Sequence, residues 1–182
     1  MAEHPAPMNH ENISQIFFED AYTVPAEQTA RALFARLPHG CGYADRMIEC
    51  LATGYLVAVI ESICIGRVQE HVDAERDVVV GLRVHIEHRR PMPPAARIVL
   101  RGWVHAISER SVTFRVRAHD ATEIACEALV TLVVLPRAQM EARIEAKRPL
   151  VPVLVDQGAI ALDRALMAVG DAANAQAALV SA

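Results

Sequence analysis

The sequence predicts an α+β fold in which an antiparallel sheet wraps around a long central helix, with a helical extension at the C-terminus. Three observations carry that prediction. Between Leu51 and Gly66 (LATGYLVAVIESICIG) only Glu61 is charged, so a helix there is apolar all round and reads as buried. Four consecutive runs from Val78 to Leu135 either alternate with period two or stay apolar, as strands do. Short turn-forming segments separate the later runs, which favours antiparallel neighbours.

Residues 1–12 are polar and proline-containing and read as a flexible tail. Ser14 to Val24 reads as a strand. Pro25 then opens a helix with Glu27 in its first turn and an apolar stripe of Ala30, Leu33, Phe34 and Leu37. Pro38, Gly40 and Gly42 force a loop, and the Glu61 helix follows, ending before Asp73. In Val78 to His88, the residues Val80, Leu82, Val84 and Ile86 form one face, while Arg83, His85 and Glu87 form the other. His88 has the parity of the buried face. Arg97 to His105 and Ser111 to His119, joined by Ser108-Glu109-Arg110, read as a long hairpin. Glu123 to Leu135 is apolar at nearly every position and is expected to pack on both faces until Pro136 stops it. An amphipathic helix from Ala138 to Lys147, an extended PLVPVLV segment and an alanine-rich helix from Gly158 to Val180 complete the chain. The main domain therefore spans 13–136 and the extension 137–182.

Bulk properties exclude several classes of function. With 182 residues, 53% hydrophobic and 22% charged, the chain supports one good core. Net charge is -4 and Lys147 is the sole lysine among otherwise scattered arginines, so nucleic acid is a poor partner. Cys41, Cys50, Cys64 and Cys126 show neither C-x-x-C spacing nor a histidine-rich ligand pattern; they read as reduced structural thiols, and no metal is expected. The first residues lack the basic start and apolar stretch of a signal peptide. No uncharged apolar run reaches the ~20 residues of a membrane span. A cytoplasmic protein is the expectation.

Three residue types needed for acyl transfer stand near the apolar run: the hydroxyl of Thr53, the carboxylate of Glu61 and the imidazole of His88. Each has a structural alternative. Thr53 is either a reacting hydroxyl or the cap of the helix it precedes. Glu61, flanked three, four and seven positions away by Gly54, Val57, Ala58, Cys64, Ile65 and Val68, projects from an apolar stripe, where it needs a structural partner or a chemical task. His88 is either a proton-transfer group or a satisfied core histidine. Within one regular helix Thr53 and Glu61 lie ~12 Å apart along the axis, so a direct pair requires a broken helix, a bridging substrate or a second subunit. Gly81 interrupts a valine-rich strand, which marks either a bulge or a backbone N–H left open to a substrate carbonyl. Arg89, Arg90, Arg97, Arg101, Arg115 and Arg117 are either contacts for phosphate groups or the solvated face of strands.

These residues carry a resemblance. Ala52-Thr53-Gly54-Tyr55, Glu61 eight positions after the threonine, Gly81 seven positions before His88 in a segment ending Pro93-Pro94, and Val116-Arg117-Ala118-His119-Asp120 followed by Glu123-Ile124 together resemble the fluoroacetyl-CoA thioesterase-like family of hot-dog proteins over about residues 13–147. The resemblance implies a hot-dog fold and hydrolysis of an acyl-CoA thioester. Thr53, Glu61 and His88 would be the catalytic set, and Gly81, Met47 and Gly54 would contact substrate. It also implies a homodimer with sites near the subunit interface, and no cofactor beyond the coenzyme A of the substrate. Thr131 stands where the fluoroacetyl-specific enzyme has arginine, and Met47 where it has a lid phenylalanine, so another short or medium acyl group is expected. The competing readings are a non-catalytic binder of acyl-CoA or another hydrophobic ligand and, further off, a hydratase or dehydratase.

Overall fold

The computed structural model describes residues 10–148. Within them the chain forms α1 (His10–Ser14), β1 (Phe17–Thr23), α2 (Ala30–Arg36), α3 (Thr53–Gln69), β2 (Asp77–His88), β3 (Arg97–Ile107), β4 (Ser111–His119), β5 (Ile124–Pro136) and α4 (Arg137–Lys147). The strands make one sheet in the order β1-β3-β4-β5-β2, every neighbouring pair antiparallel. The chain divides into one unit ending at Arg137 and a second beginning at Ala138. The predicted PLVPVLV segment and the alanine-rich helix lie outside the described residues, as do residues 1–9.

The predicted central helix is α3. Leu56, Ile60, Cys64 and Val68, spaced by four, are all at most 1% exposed and form one ridge along it. Facing residues come from alternate positions of the strands: Ile98 and Leu100 on β3, Val112, Phe114, Val116 and Ala118 on β4, and Cys126, Ala128, Val130, Leu132 and Val134 on β5. Each large aliphatic group buried there contributes about 1.5–3 kcal/mol. On the outer face of β5 the intervening residues are half-buried, so the strand is covered on both faces but less on the side away from α3. Cys64 and Cys126 belong to the core, where burial pushes each thiol up to about 12. All four cysteines are free.

Three features differ from the sequence reading, each for a local reason. His10–Ser14 is helical rather than tail or strand, with the Ser14 hydroxyl donating to the Glu11 carbonyl at 2.7 Å. Pro25 leads into a single 3-10 turn, Ala26–Gln28, and α2 starts afresh because the Thr29 hydroxyl caps it, accepting from the Ala32 amide at 3.2 Å. In β2 the pairing with β5 slips between Gly81 and Arg83, leaving Leu82 as a bulged residue that is 62% exposed. The predicted continuous face through Val80, Leu82, Val84 and Ile86 is therefore broken. Asp77 and Val79 face inward before the bulge, and the more covered positions after it are Val84, Ile86 and His88. The hairpin turns follow expectation: Ser108 N–H donates to the Ser111 carbonyl at 2.9 Å, and the Asp120 carboxylate accepts from the amides of Thr122 and Glu123.

The β1–β3 seam depends on a missing side chain. Phe18 is paired with Gly102, and a Cβ at that glycine would collide with the Phe18 ring, which also packs 6.2 Å from the Phe114 ring. Arg67 of α3 ties the same seam to the helix through Asp20 at 2.9 Å and lies over the Phe18 ring. Gly102→Ala is expected to cost about 1–3 kcal/mol by overpacking in urea denaturation. Adding Phe18→Leu should recover part of that loss, and strict additivity of the two substitutions would contradict the packing account.

Candidate active site

Thr53 is the first residue of α3, and the cap position belongs to Ala52, which offers no side-chain acceptor. The capping role weighed for Thr53 is thereby excluded. Its hydroxyl instead lies 3.0 Å from Nδ1 of His88, at the C-terminal end of β2. The other ring nitrogen of His88, Nε2, is buried and has no hydrogen-bond partner. Burial holds the imidazole below its ordinary 6.5, only partly opposed by the Arg90 backbone, so the ring is neutral at neutral pH. An orphaned buried nitrogen is costly, which makes it informative about where a further group belongs.

Glu61 sits farther along α3 and meets β2 at Gly81. A Cβ on Gly81 would collide with Glu61 Oε1, so the carboxylate rests directly against strand backbone that has no side chain to displace it. Gly81 also borders the bulge, which meets the structural reading weighed for it. Among the described residues no ion pair or hydrogen bond holds the Glu61 carboxylate. Because Thr53 and Glu61 share one regular helix, the Thr53–His88 and Glu61–Gly81 contacts are separated by ~12 Å along its axis. Within a single chain, Glu61 and His88 do not meet.

Thr53 and His88 open into a cleft of about 480 Å³ whose lining also includes Gly54, Met47, Arg89 and Arg90. Sequence reasoning did not assign Leu33, Phe34 and Cys50 to this cleft, although all three line it. α2 is amphipathic yet buries no residue in the core, and its apolar side lines the cleft instead. Thr131 lies elsewhere, on the outer face of β5, with its hydroxyl 3.0 Å from that of Thr113. Four of the six arginines considered as phosphate contacts are engaged by carboxylates: Arg89 by Glu87 and Glu127, Arg90 by Glu123, Arg101 by Glu19 and Arg117 by Glu127. Arg97 and Arg115 form no ion pair among the described residues. No group of three His, Cys, Asp or Glu among the described residues is arranged to hold a metal ion, and no helix there is long and apolar enough to cross a membrane.

Comparison with known proteins agrees with this architecture. A family model described as FlK, fluoroacetyl-CoA-specific thioesterase, matches residues 40–138. The structure of the fluoroacetyl-CoA thioesterase FlK superposes with a TM-score of 0.66 at 21% identity, covering 74% of this chain and 96% of that one; a mutant of it has been solved in complex with fluoroacetate and CoA. A thioesterase superfamily member from Thermus thermophilus gives 0.65 at 18% identity, covering 78% of this chain and 96% of that one. A hot-dog-like protein from Thermanaerovibrio acidaminovorans gives 0.63 at 15%, covering 78% and 98%. No curated protein sequence matches. The sheet wrapped on α3 is thus a hot-dog fold, and the class of protein is a thioester hydrolase. More particularly, the chain belongs to the fluoroacetyl-CoA-specific thioesterase family.

The half-buried imidazole sets a pH dependence. In the unfolded chain His88 protonates near 6.5, whereas in the folded chain burial delays protonation to lower pH. Its contribution to stability is full above 6.5 and is lost as pH falls below that value through the folded pKa. NMR titration of His88 should give a midpoint below 6.5; a midpoint at or above it would show that burial does not govern this ring.

Proposed function

We propose that the chain hydrolyses the thioester of a short or medium acyl-CoA, using Thr53, Glu61 and His88. The observation that carries the proposal is the Thr53–His88 hydrogen bond at the polar end of an otherwise apolar cleft, with Nε2 of His88 buried and unpartnered. The related fluoroacetyl-CoA thioesterase crystallised with CoA and fluoroacetate supports the substrate class.

In this reading the Glu61 carboxylate takes a proton from water as the water oxygen attacks the thioester carbonyl. The resulting oxyanion is stabilised by the backbone at Gly81 and by the Thr53 hydroxyl. Collapse breaks the carbon–sulfur bond, and the proton held by Glu61 returns through His88 to the departing thiolate. The products are the free acid and CoA. A neutral imidazole suits this relay, because it can accept one proton while giving up another.

The ~12 Å between the two halves of the set leads to a homodimer in which Glu61 and Gly81 of one copy face Thr53 and His88 of the other. β2 supports that arrangement: it is an edge strand of the sheet, so one row of its backbone donors and acceptors is free to pair with a second β2. The exposed Leu82 on its bulge is an apolar contact for the same partner.

Glu61→Gln and His88→Ala are each expected to lower CoA release by about 10²–10⁴-fold with the fold intact. If both turn over every tested acyl-CoA at the parental rate, the assignment is wrong. Coexpressing the two variants should recover activity that neither has alone, since mixed dimers carry one complete site; absence of recovery in verified mixed dimers would refute the shared site. Gly81→Ala tests the carboxylate's position. The colliding atom is the end of a flexible side chain, so stability should change little while kcat falls about 10²-fold.

A further inference from the structure

We infer that the cleft takes an uncharged, unbranched acyl chain of about six to eight carbons, which makes this chain a medium-chain acyl-CoA thioesterase; the inference rests on the thioesterase reading above. The cleft has two unlike sides. Thr53, His88, Arg89 and Arg90 make the polar side, where the thioester belongs. Ala30, Leu33, Phe34, Met47, Cys50 and Leu51 make an apolar wall.

Size argues against a two-carbon group. The cleft holds about 480 Å³, whereas an apolar cavity of roughly 150 Å³ already accommodates a six-carbon ring. Even with the thioester, the adjoining arm of CoA and the second copy's Glu61 and Gly81 gathered at the polar side, an acetyl or fluoroacetyl group does not reach across the apolar wall of Leu33, Phe34 and Cys50. A six- to eight-carbon chain covers it, and each methylene moved from water onto that wall strengthens binding.

The wall is also held in place, so it does not collapse onto a short substrate. The Ala30 amide donates to the Cys50 carbonyl at 2.8 Å, Leu51 to Met92 at 2.8 Å and Ala52 to Gln28 at 3.0 Å. Arg31 donates through Nε to the Met47 carbonyl at 3.2 Å and through Nη1 to Glu49 at 2.8 Å. These bonds fix the segment carrying Met47 and Cys50 against α2, which carries Leu33 and Phe34.

Charge argues against a carboxylated acyl group. Arg31 is committed to Glu49, Arg89 to Glu87 and Glu127, and Arg90 to Glu123. A carboxylate on the acyl chain would enter the apolar side, where the described lining residues offer no free cation to pair it.

The test is kcat/KM for CoA release from acetyl-, fluoroacetyl-, butyryl-, hexanoyl-, octanoyl-, dodecanoyl- and succinyl-CoA. The expected profile rises about fourfold per added methylene, peaks at hexanoyl or octanoyl and falls at dodecanoyl, with succinyl-CoA poorer than butyryl-CoA. Cys50→Phe, which fills the wall, should move the peak to shorter chains, and Leu33→Ala should move it to longer ones. A general loss of structure changes all substrates together and moves no peak. A maximum at acetyl, fluoroacetyl or succinyl, or a peak that neither variant moves, overturns the chain-length inference while leaving thioesterase activity standing. No CoA release from any member of the panel overturns the thioesterase reading itself.

Discussion

The structure depends on how closely α3 lies against the sheet. The ridge of Leu56, Ile60, Cys64 and Val68 is the apolar side of that contact, and the same approach brings two polar groups of the helix onto β2: Thr53 against His88 and Glu61 against Gly81. A helix held farther out would lose both contacts together. Hydrophobic burial, which is non-directional, thus sets a geometry that hydrogen bonding alone could not hold.

Polar groups at this contact are incompletely satisfied in a way that suits chemistry. His88 gives one ring nitrogen to Thr53 and leaves the other buried and bare. Glu61 lies against backbone rather than against a cation. Elsewhere on the sheet Glu19 and Glu127 are held by arginines, as in the Arg89–Glu127–Arg117 chain. The contrast separates groups whose interactions are complete from groups left open. Only the former read as structural.

Much of this organisation was legible along the chain. The one charged residue in the apolar run marked Glu61, the parity of β2 placed His88 inward, and the eight-residue separation of Thr53 and Glu61 foretold that one helix could not bring them together. Less legible were the places where a local capping or register choice intervened. Thr29 restarted α2 because a hydroxyl at that position captures an amide, and the bulge beside Gly81, one of two readings that glycine allowed, reversed the parity of β2 ahead of Leu82. Neither event has a periodic signature. The residues of the cleft wall were hidden for another reason: Leu33 and Phe34 carry the same helical spacing whether they face a core or a cavity.

What the sequence determined by itself is the set of elements and the residue types able to act, because periodicity and the cost of isolated charge are local properties of the chain. It determined the hot-dog order of those elements and singled out Thr53, Glu61, Gly81 and His88. The tertiary structure alone decided which of them touch, that Cys50 and Met47 share a wall with α2, and that Glu61 is left apart from His88. Those outcomes follow from the relative placement of a helix and a strand far apart in sequence, fixed only when apolar surfaces from the whole domain are buried together.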